Sequence, residues 1–248
     1  MVAIKTAQEL DLMHRAGEIV ARALARLREL AGPGVTTKEL DAAAEELIRD
    51  LGAEPSFKGY HGYPATVCAS INEQIAHGIP GPRQLLEGDI VSFDVGAIWQ
   101  GYQGDAAVTV AIGDVPAQVL RLLHTTEAAL AAGIQAARGG ARLGDVSHAI
   151  ESVAKRDGFS VVREYGGHGI GRAMHEPPRI PNWGPAGRGL LLEPGMTLAV
   201  EPMFTNGGYR TRVLGDGWTV VTADGSLAAH FEHTIAITED SATILTTL

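Results

Sequence analysis

The chain repeats itself at long range, and this limits its possible folds more than any other feature. At a constant offset of 106 residues, Gly34 matches Gly140, Leu40 matches Val146, Leu47 matches Val153 and Gly52 matches Gly158. Each match lies in helical text that breaks at glycine. The first such region runs from about Ala7 to Leu51 and is interrupted at Gly32-Pro33-Gly34; the second runs from about Ala117 to Gly158 and is interrupted at Gly139-Gly140. In the first, Leu10, Met13, Ile19, Val20, Leu24 and Leu27 recur at helical spacing. Thr36 or Thr37 is a suitable N-cap for a second helix ending near Gly52.

The segments after the two helical regions also match. Leu86-Glu87-Gly88-Asp89-Ile90-Val91-Ser92-Phe93-Asp94 resembles Leu192-Glu193-Pro194-Gly195-Met196-Thr197-Leu198-Ala199-Val200-Glu201, with one inserted residue. In both, a turn leads into an apolar strand that ends on a carboxylate. Two copies of a helix pair followed by strands predict one pseudo-symmetric α+β domain over residues 1–248, with halves at about 1–115 and 116–248. The period is too long and the copies too few for a solenoid.

The strands carry charge where charge is costly. Ile90 to Ile98 is largely apolar, as in a strand buried on both faces. Tyr102 to Ile112 follows as a second strand after the turn Trp99-Gln100-Gly101. A tight hairpin centred near Trp99 and Gln100 puts Asp94 opposite Asp105, with Cβ atoms ~4.5–5.5 Å apart. Two carboxylates that close inside a sheet repel, and burial adds to the cost, so something positive is expected between them. The later part of the chain repeats the anomaly: Glu201 follows Thr197-Leu198-Ala199-Val200, and Glu232 precedes Thr234-Ile235-Ala236-Ile237. Two divalent cations would offset four such carboxylates. His168, in Gly166-Gly167-His168-Gly169-Ile170-Gly171, adds an imidazole on what reads as a flexible, close-packed loop. Carboxylates with one imidazole suit Co, Mn, Fe or Zn.

Bulk properties exclude other classes. The formal net charge is -9 and the pI about 5.4, and an acidic surface repels phosphate backbones, so no nucleic-acid partner is expected. A single cysteine, Cys68, rules out a disulfide within the chain. The segment Met1-Val2-Ala3-Ile4-Lys5 lacks the apolar core of a signal peptide, and no stretch approaches the ~18 apolar residues of a membrane span. A cytoplasmic location without membrane contact is the expectation.

Longer motifs carry a resemblance. Gly59-Tyr60-His61-Gly62-Tyr63-Pro64 and Asn72-Glu73-Gln74-Ile75-Ala76-His77-Gly78-Ile79-Pro80 resemble segments of the type I methionine aminopeptidases in their short bacterial form. So do Gly167-His168-Gly169-Ile170-Gly171, Pro194-Gly195-Met196, Glu201-Pro202-Met203, Asp216-Gly217-Trp218-Thr219 and Glu232-His233-Thr234, colinear from about Ile4 onward. That resemblance implies the pseudo-two-fold pita-bread fold, a curved antiparallel sheet covered by two pairs of helices. It also implies a two-metal exopeptidase that removes the initiator methionine from nascent polypeptides with a small second residue. Asp94, Asp105 and Glu232 would hold one ion, and Asp105, His168, Glu201 and Glu232 the other. Glu201 would shuttle the proton, His175 would donate to the oxyanion, and His77 would position the scissile amide. The methionine pocket would be formed by Tyr60, Tyr63, Cys68, Met174 and Trp218, with Phe57. Family members often carry Phe at the position of Met174 and Cys at that of Phe57, so the pocket stays apolar while its shape is open to change. Ribosome proximity and a monomeric state are the family default.

The remaining histidines read more plainly. His14, His124 and His148 lie in helical text as surface residues, while His61 belongs to the pocket neighbourhood. His230 and His233 flank Glu232, and His233 reads as a supporting or structural residue. Competing readings are weaker. Prolidase-like relatives share the five ligands but usually carry an extra N-terminal domain. A non-catalytic relative would be expected to have lost ligands. Gly167 to Gly171 is G-x-G-x-G, which lacks the spacing of a dinucleotide loop. His175-Glu176-Pro177-Pro178-Arg179 begins like a zincin motif but ends in Arg, and its prolines would break the helix that motif needs.

Overall fold

The computed structural model describes residues 2–248. Among them are four α-helices: α1 (Ala7–Leu30), α2 (Thr37–Asp50), α3 (Ala117–Ala136) and α4 (Leu143–Asp157). Their ends follow from local chemistry. Thr6 and Glu9 cap α1 reciprocally, Glu9 N donating to Thr6 Oγ1 at 3.3 Å and Thr6 N to Glu9 Oε2 at 2.9 Å. Thr36 and Glu39 do the same for α2. These bonds satisfy amides that the first helical turn leaves unpaired. At the other end, α4 stops at Gly158, whose φ of +79° costs glycine little.

The helices cover one nine-stranded sheet whose pairings are all antiparallel. From one edge the order is Glu54–Pro55, Ile90–Trp99, Tyr102–Ala111, Glu232–Ile237, Thr197–Val200, Gly167–Gly169 and Glu176–Ile180. Val67–Ile71 and Ala242–Ile244 branch from it. α1 lies on the Ile90–Trp99 and Tyr102–Ala111 strands so closely that a Cβ at Gly104 would come 2.7 Å from Gly17 N. α3 packs on α4 and touches the Thr197–Val200 and Glu232–Ile237 strands. Between helices and sheet lies the main core, with Ile19, Leu27, Phe93, Leu122 and Phe204 fully buried. Each such side chain contributes about 1.5–3 kcal/mol. This is the expected curved sheet under two helix pairs.

The pseudo-two-fold relation extends to backbone detail. Gly34 and Gly140, Gly52 and Gly158, and Gly88 and Gly195 all hold positive φ, between +78° and +90°. Thr36 bridges to Gln84, and Arg142 bridges to Leu191, at matching places ahead of α2 and α4. No helix among the described residues is long and apolar enough to cross a membrane.

Candidate metal centre

The sheet's register decides which side chains meet. Gln100 and Gly101, at φ +48° and +83°, form the two-residue turn between Ile90–Trp99 and Tyr102–Ala111. Consecutive residues of positive φ match the right-handed twist of a hairpin. The turn is therefore centred one residue later than the sequence suggested. Asp94 stands opposite Ala107, and Asp105 opposite Gly96. The two aspartates are diagonal neighbours, not partners across a rung. Because side chains alternate with a period of two, the shift leaves both on the same face.

Three strands then line up their charges. Glu232 pairs with Ala107, so Asp94, Ala107 and Glu232 form one row across the sheet, and the small alanine leaves space between the carboxylates. Thr234 locks Asp105 in place: its hydroxyl accepts from Asp105 N at 3.1 Å and donates to Asp105 O at 2.8 Å. His168 sits on the Gly167–Gly169 strand, opposite Ala199, and not on a flexible loop. Its flanking glycines are there for clearance: a Cβ on Gly167 or Gly169 would collide with the carbonyl of Ala199 or of Pro177. Arg179 and Ile180 end the neighbouring strand, Glu176–Ile180.

All five side chains converge. Ligand atoms of Asp105, His168 and Glu232 lie within 4.8 Å of one another, and all three residues are buried. His168 Nε2 is 3.7 Å from Asp105 Oδ2 and 3.6 Å from Glu201 Oε1. Asp94 Oδ1, Asp105 Oδ1 and Glu232 Oε1 are shielded from water with no hydrogen-bond partner. Buried polar atoms are nearly always paired, so orphaned acceptors in one cluster fit a bound cation. Without one, burial raises the Asp94 carboxyl to about 7. Burial and the charge of Asp94 raise Glu201 to about 8. Asp105 and Glu232 rise as well, through burial and the charges of neighbouring carboxylates. Burial also lowers His168 to about 4, leaving a neutral imidazole suited to ligation.

An adjoining cavity of about 380 Å³ has apolar walls and this polar floor. Phe57, Tyr60, Tyr63, Cys68 and Trp218 line it. Tyr63 spends its hydroxyl on Val67 O and Gly78 O, so it presents only its ring. Cys68 faces Asp94 across the ladder, and burial with that charge holds its thiol protonated, as befits a wall and not a nucleophile. Met174 is not among the residues lining the cavity; 2% exposed, it belongs to the same buried apolar cluster as Phe57 and Tyr63. His175 lies at the rim, its ring 4.3 Å from that of His168 and its Nδ1 2.8 Å from Tyr60 Oη. His77, at φ +57°, stands edge-on to Trp218 and Tyr165. On its other side the carboxylate cluster borders a second cavity of about 290 Å³, lined in part by His77, Tyr165, Arg179 and Met203.

Residues 11–239 match the model of metallopeptidase family M24. Over 246 residues, 99% of each chain, the sequence is 50% identical to methionine aminopeptidase 1 of Bacillus subtilis. The chain belongs to the methionine aminopeptidases of family M24. It is 51% identical to methionine aminopeptidase 1 of Mycobacterium tuberculosis, across 98% of this chain and 94% of that one. The crystal structure of methionine aminopeptidase from Thermotoga maritima superposes with a TM-score of 0.98 at 47% identity, covering 100% of both chains. A prolidase from Pyrococcus furiosus shares the fold at TM-score 0.81 and 24% identity, with this chain covering 65% of it.

One neighbour of the aminopeptidase cluster escaped the sequence reading. His230 Nε2 lies 3.8 Å from Glu201 Oε2 and 3.7 Å from Glu232 Oε2. His233 instead turns away and bonds the Thr246 hydroxyl at 2.8 Å. His230 ends the Ala228–His230 strand just ahead of Glu232, whereas His233 alternates to the other face of the Glu232–Ile237 strand.

Proposed function

We propose that this methionine aminopeptidase removes the N-terminal methionine from nascent polypeptides with a small second residue, using two divalent cations. The observation that carries this reading is the cluster of orphaned buried carboxylates set between an apolar cavity and a second opening. Asp94, Asp105 and Glu232 would hold one cation, and Asp105, His168, Glu201 and Glu232 the other, drawn from Co, Mn, Fe or Zn. When bound, such a pair lowers the pKa of a shared water and polarises the substrate carbonyl. The protein supplies the rest.

The methionine side chain lies in the cavity walled by Phe57, Tyr60, Tyr63, Cys68 and Trp218, where a thioether gains dispersion contacts and needs almost no hydrogen bonding. The α-amine sits near Asp94, which restricts cleavage to the first residue. The remaining peptide leaves through the second cavity. Glu201 takes the proton from water and passes it to the leaving amine. His175 donates to the developing oxyanion: with Nδ1 engaged by Tyr60, its other nitrogen is free to do so. His77 positions the scissile amide. The chain works as a single catalytic domain over residues 1–248, with halves at about 1–115 and 116–248; the matched glycines and bridges support this. It acts as a monomer in the cytoplasm, close to ribosomes, without nucleic acid as a partner; the acidic charge of -9 supports the last point.

The test is an assay of metal-stripped protein on Met-Ala-Ser and on Xaa-Pro dipeptides, with Mn, Co, Fe or Zn added back and Asp105→Ala run in parallel. Methionine release only with metal, and none from the variant, is the expected result. Xaa-Pro cleavage without methionine release would move the chain to a prolidase-like activity. Metal binding without hydrolysis would make it a binding protein.

A further inference from the structure

His230 has no part in the two-cation reading, yet its Nε2 is buried without a hydrogen-bond partner. Its side chain is 3% exposed, and the nearest charged atoms are the outer oxygens of Glu201 and Glu232 at 3.8 and 3.7 Å. The backbone beneath it is fixed. His230 N donates to Thr109 Oγ1 at 2.8 Å, and that hydroxyl donates back to His230 O at 2.8 Å. The residue also pairs with Met203 in a three-stranded sheet. A buried ring on this fixed backbone, its unpaired Nε2 nearest two carboxylates, differs from an ordinary core histidine, which has a satisfied partner elsewhere.

Resting on the two-cation reading, we propose that His230 is a positioning residue for the metal centre, donating its Nε2–H to the carboxylates of Glu201 and Glu232. Ionised carboxylates only accept hydrogen bonds, so an imidazole nitrogen facing two of them is satisfied only as a donor. Both separations exceed hydrogen-bond length and lie within reach of a carboxylate rotation. With both carboxylates held ionised by bound cations, the bond orients the two side chains, as outer partners of metal ligands generally do. In this reading His168, within 4.8 Å of the ligand atoms of Asp105 and Glu232, supplies the imidazole ligand, and His230 stands outside the ligand set.

The experiment compares metal-stripped wild type, His230→Leu and His230→Gln by calorimetric titration with Mn²⁺ and by the visible absorption of bound Co²⁺. The Gln amide reaches about as far as Nε2 and keeps an N–H donor. Leu should bind Mn²⁺ about 10- to 100-fold more weakly. Gln should restore affinity to within a few-fold, with the Co²⁺ spectrum of wild type. Unchanged affinity in Leu would overturn the proposal. So would loss of affinity in Gln with an altered Co²⁺ spectrum, which would make the imidazole a ligand. Should His230→Leu not fold, His230→Asn, whose amide stops short of the carboxylates, replaces it with the same expectation. Failure of the wild type itself to bind divalent cations would instead sink the two-cation reading.

Discussion

Lys5 Nζ lies 2.7 Å from Glu176 Oε2 in a pair whose side chains are only 6% and 18% exposed. Glu176 also accepts from Ala173 N at 3.2 Å, and Lys5 N donates to Gly195 O at 2.8 Å. The first residues of the chain thus fasten the turn that carries Met174 and His175. Removing one partner of a buried pair strands the other charge, at a cost of about 3 kcal/mol. Lys5→Met should lower the unfolding free energy by that amount in urea, and adding Glu176→Leu should recover most of it. Wild-type stability in Lys5→Met would mean that the pair anchors nothing.

The metal-free protein should become less stable as pH rises. Asp94 and Glu201 titrate near 7 and 8 when folded, against ordinary values of 3.8 and 4.5. Groups with a raised folded pKa bind protons more tightly in the native state. Their contribution is complete below the unfolded values and is lost as pH climbs through the folded ones. Buried neutral histidines such as His168 and His230 give the opposite slope below about pH 6.5. Thermal melts of chelator-treated protein should therefore show a falling Tm between about pH 7 and 8, and added Mn²⁺ should oppose the fall while releasing protons. A Tm that rises over this range without metal would contradict the burial of these carboxyls.

Tyr60→Phe removes the hydroxyl 2.8 Å from His175 Nδ1. A hydroxyl donating to Nδ1 leaves the ring proton on Nε2, the tautomer able to serve an oxyanion. Losing that bias should lower kcat by about tenfold, less than the 10²–10³ for deleting such a donor outright. KM for Met-Ala-Ser should hardly change, since the ring remains in the pocket wall. A rise in KM at constant kcat would assign Tyr60 to binding alone.

Gly96 faces Asp105 across the ladder and leaves no room for a methyl group. A Cβ there would come 2.8 Å from Ser56 Cβ, 2.9 Å from Met174 Cε and 2.9 Å from Phe57 Cε1. Met174 can swing its end away, but Phe57 cannot move without altering the cavity. Gly96→Ala should destabilise by about 1–3 kcal/mol, the usual cost of overpacking, and raise KM for methionyl peptides. Unaltered steady-state kinetics would show that this wall does not set the pocket's shape.

The helices and the charged strands are legible because each rests on local chemistry: helical spacing with an N-cap at Thr36 or Thr37, and carboxylates in apolar text. The Asp94–Asp105 register differs from expectation by two residues, since a turn of two positive-φ residues beginning at Gln100 is not evident when glycine occupies only its second place. Parity protected the functional inference, because both side chains kept their face. His168 was assigned to a loop on the strength of its glycines, which in fact clear space for neighbouring strands. From sequence His230 reads as a mere neighbour of Glu232, and Met174 as part of the cavity wall, whose lining does not include it. Both depend on where a side chain points after the chain has folded back.

The Tyr102–Ala111 and Glu232–Ile237 strands meet through only two rungs, Ala107 with Glu232 and Ala106 with His233, reinforced by the Thr234 hydroxyl. Ten rungs join Ile90–Trp99 to Tyr102–Ala111. Asp105 and Glu232 stand diagonally across that short seam, so ions held between them would act as rivets. Amide hydrogens along the seam should then exchange slowly when metal is present and fast when it is withdrawn. Scarcity of metal would therefore weaken the join between the two strand sets as well as stop catalysis, exposing the emptied protein to proteases.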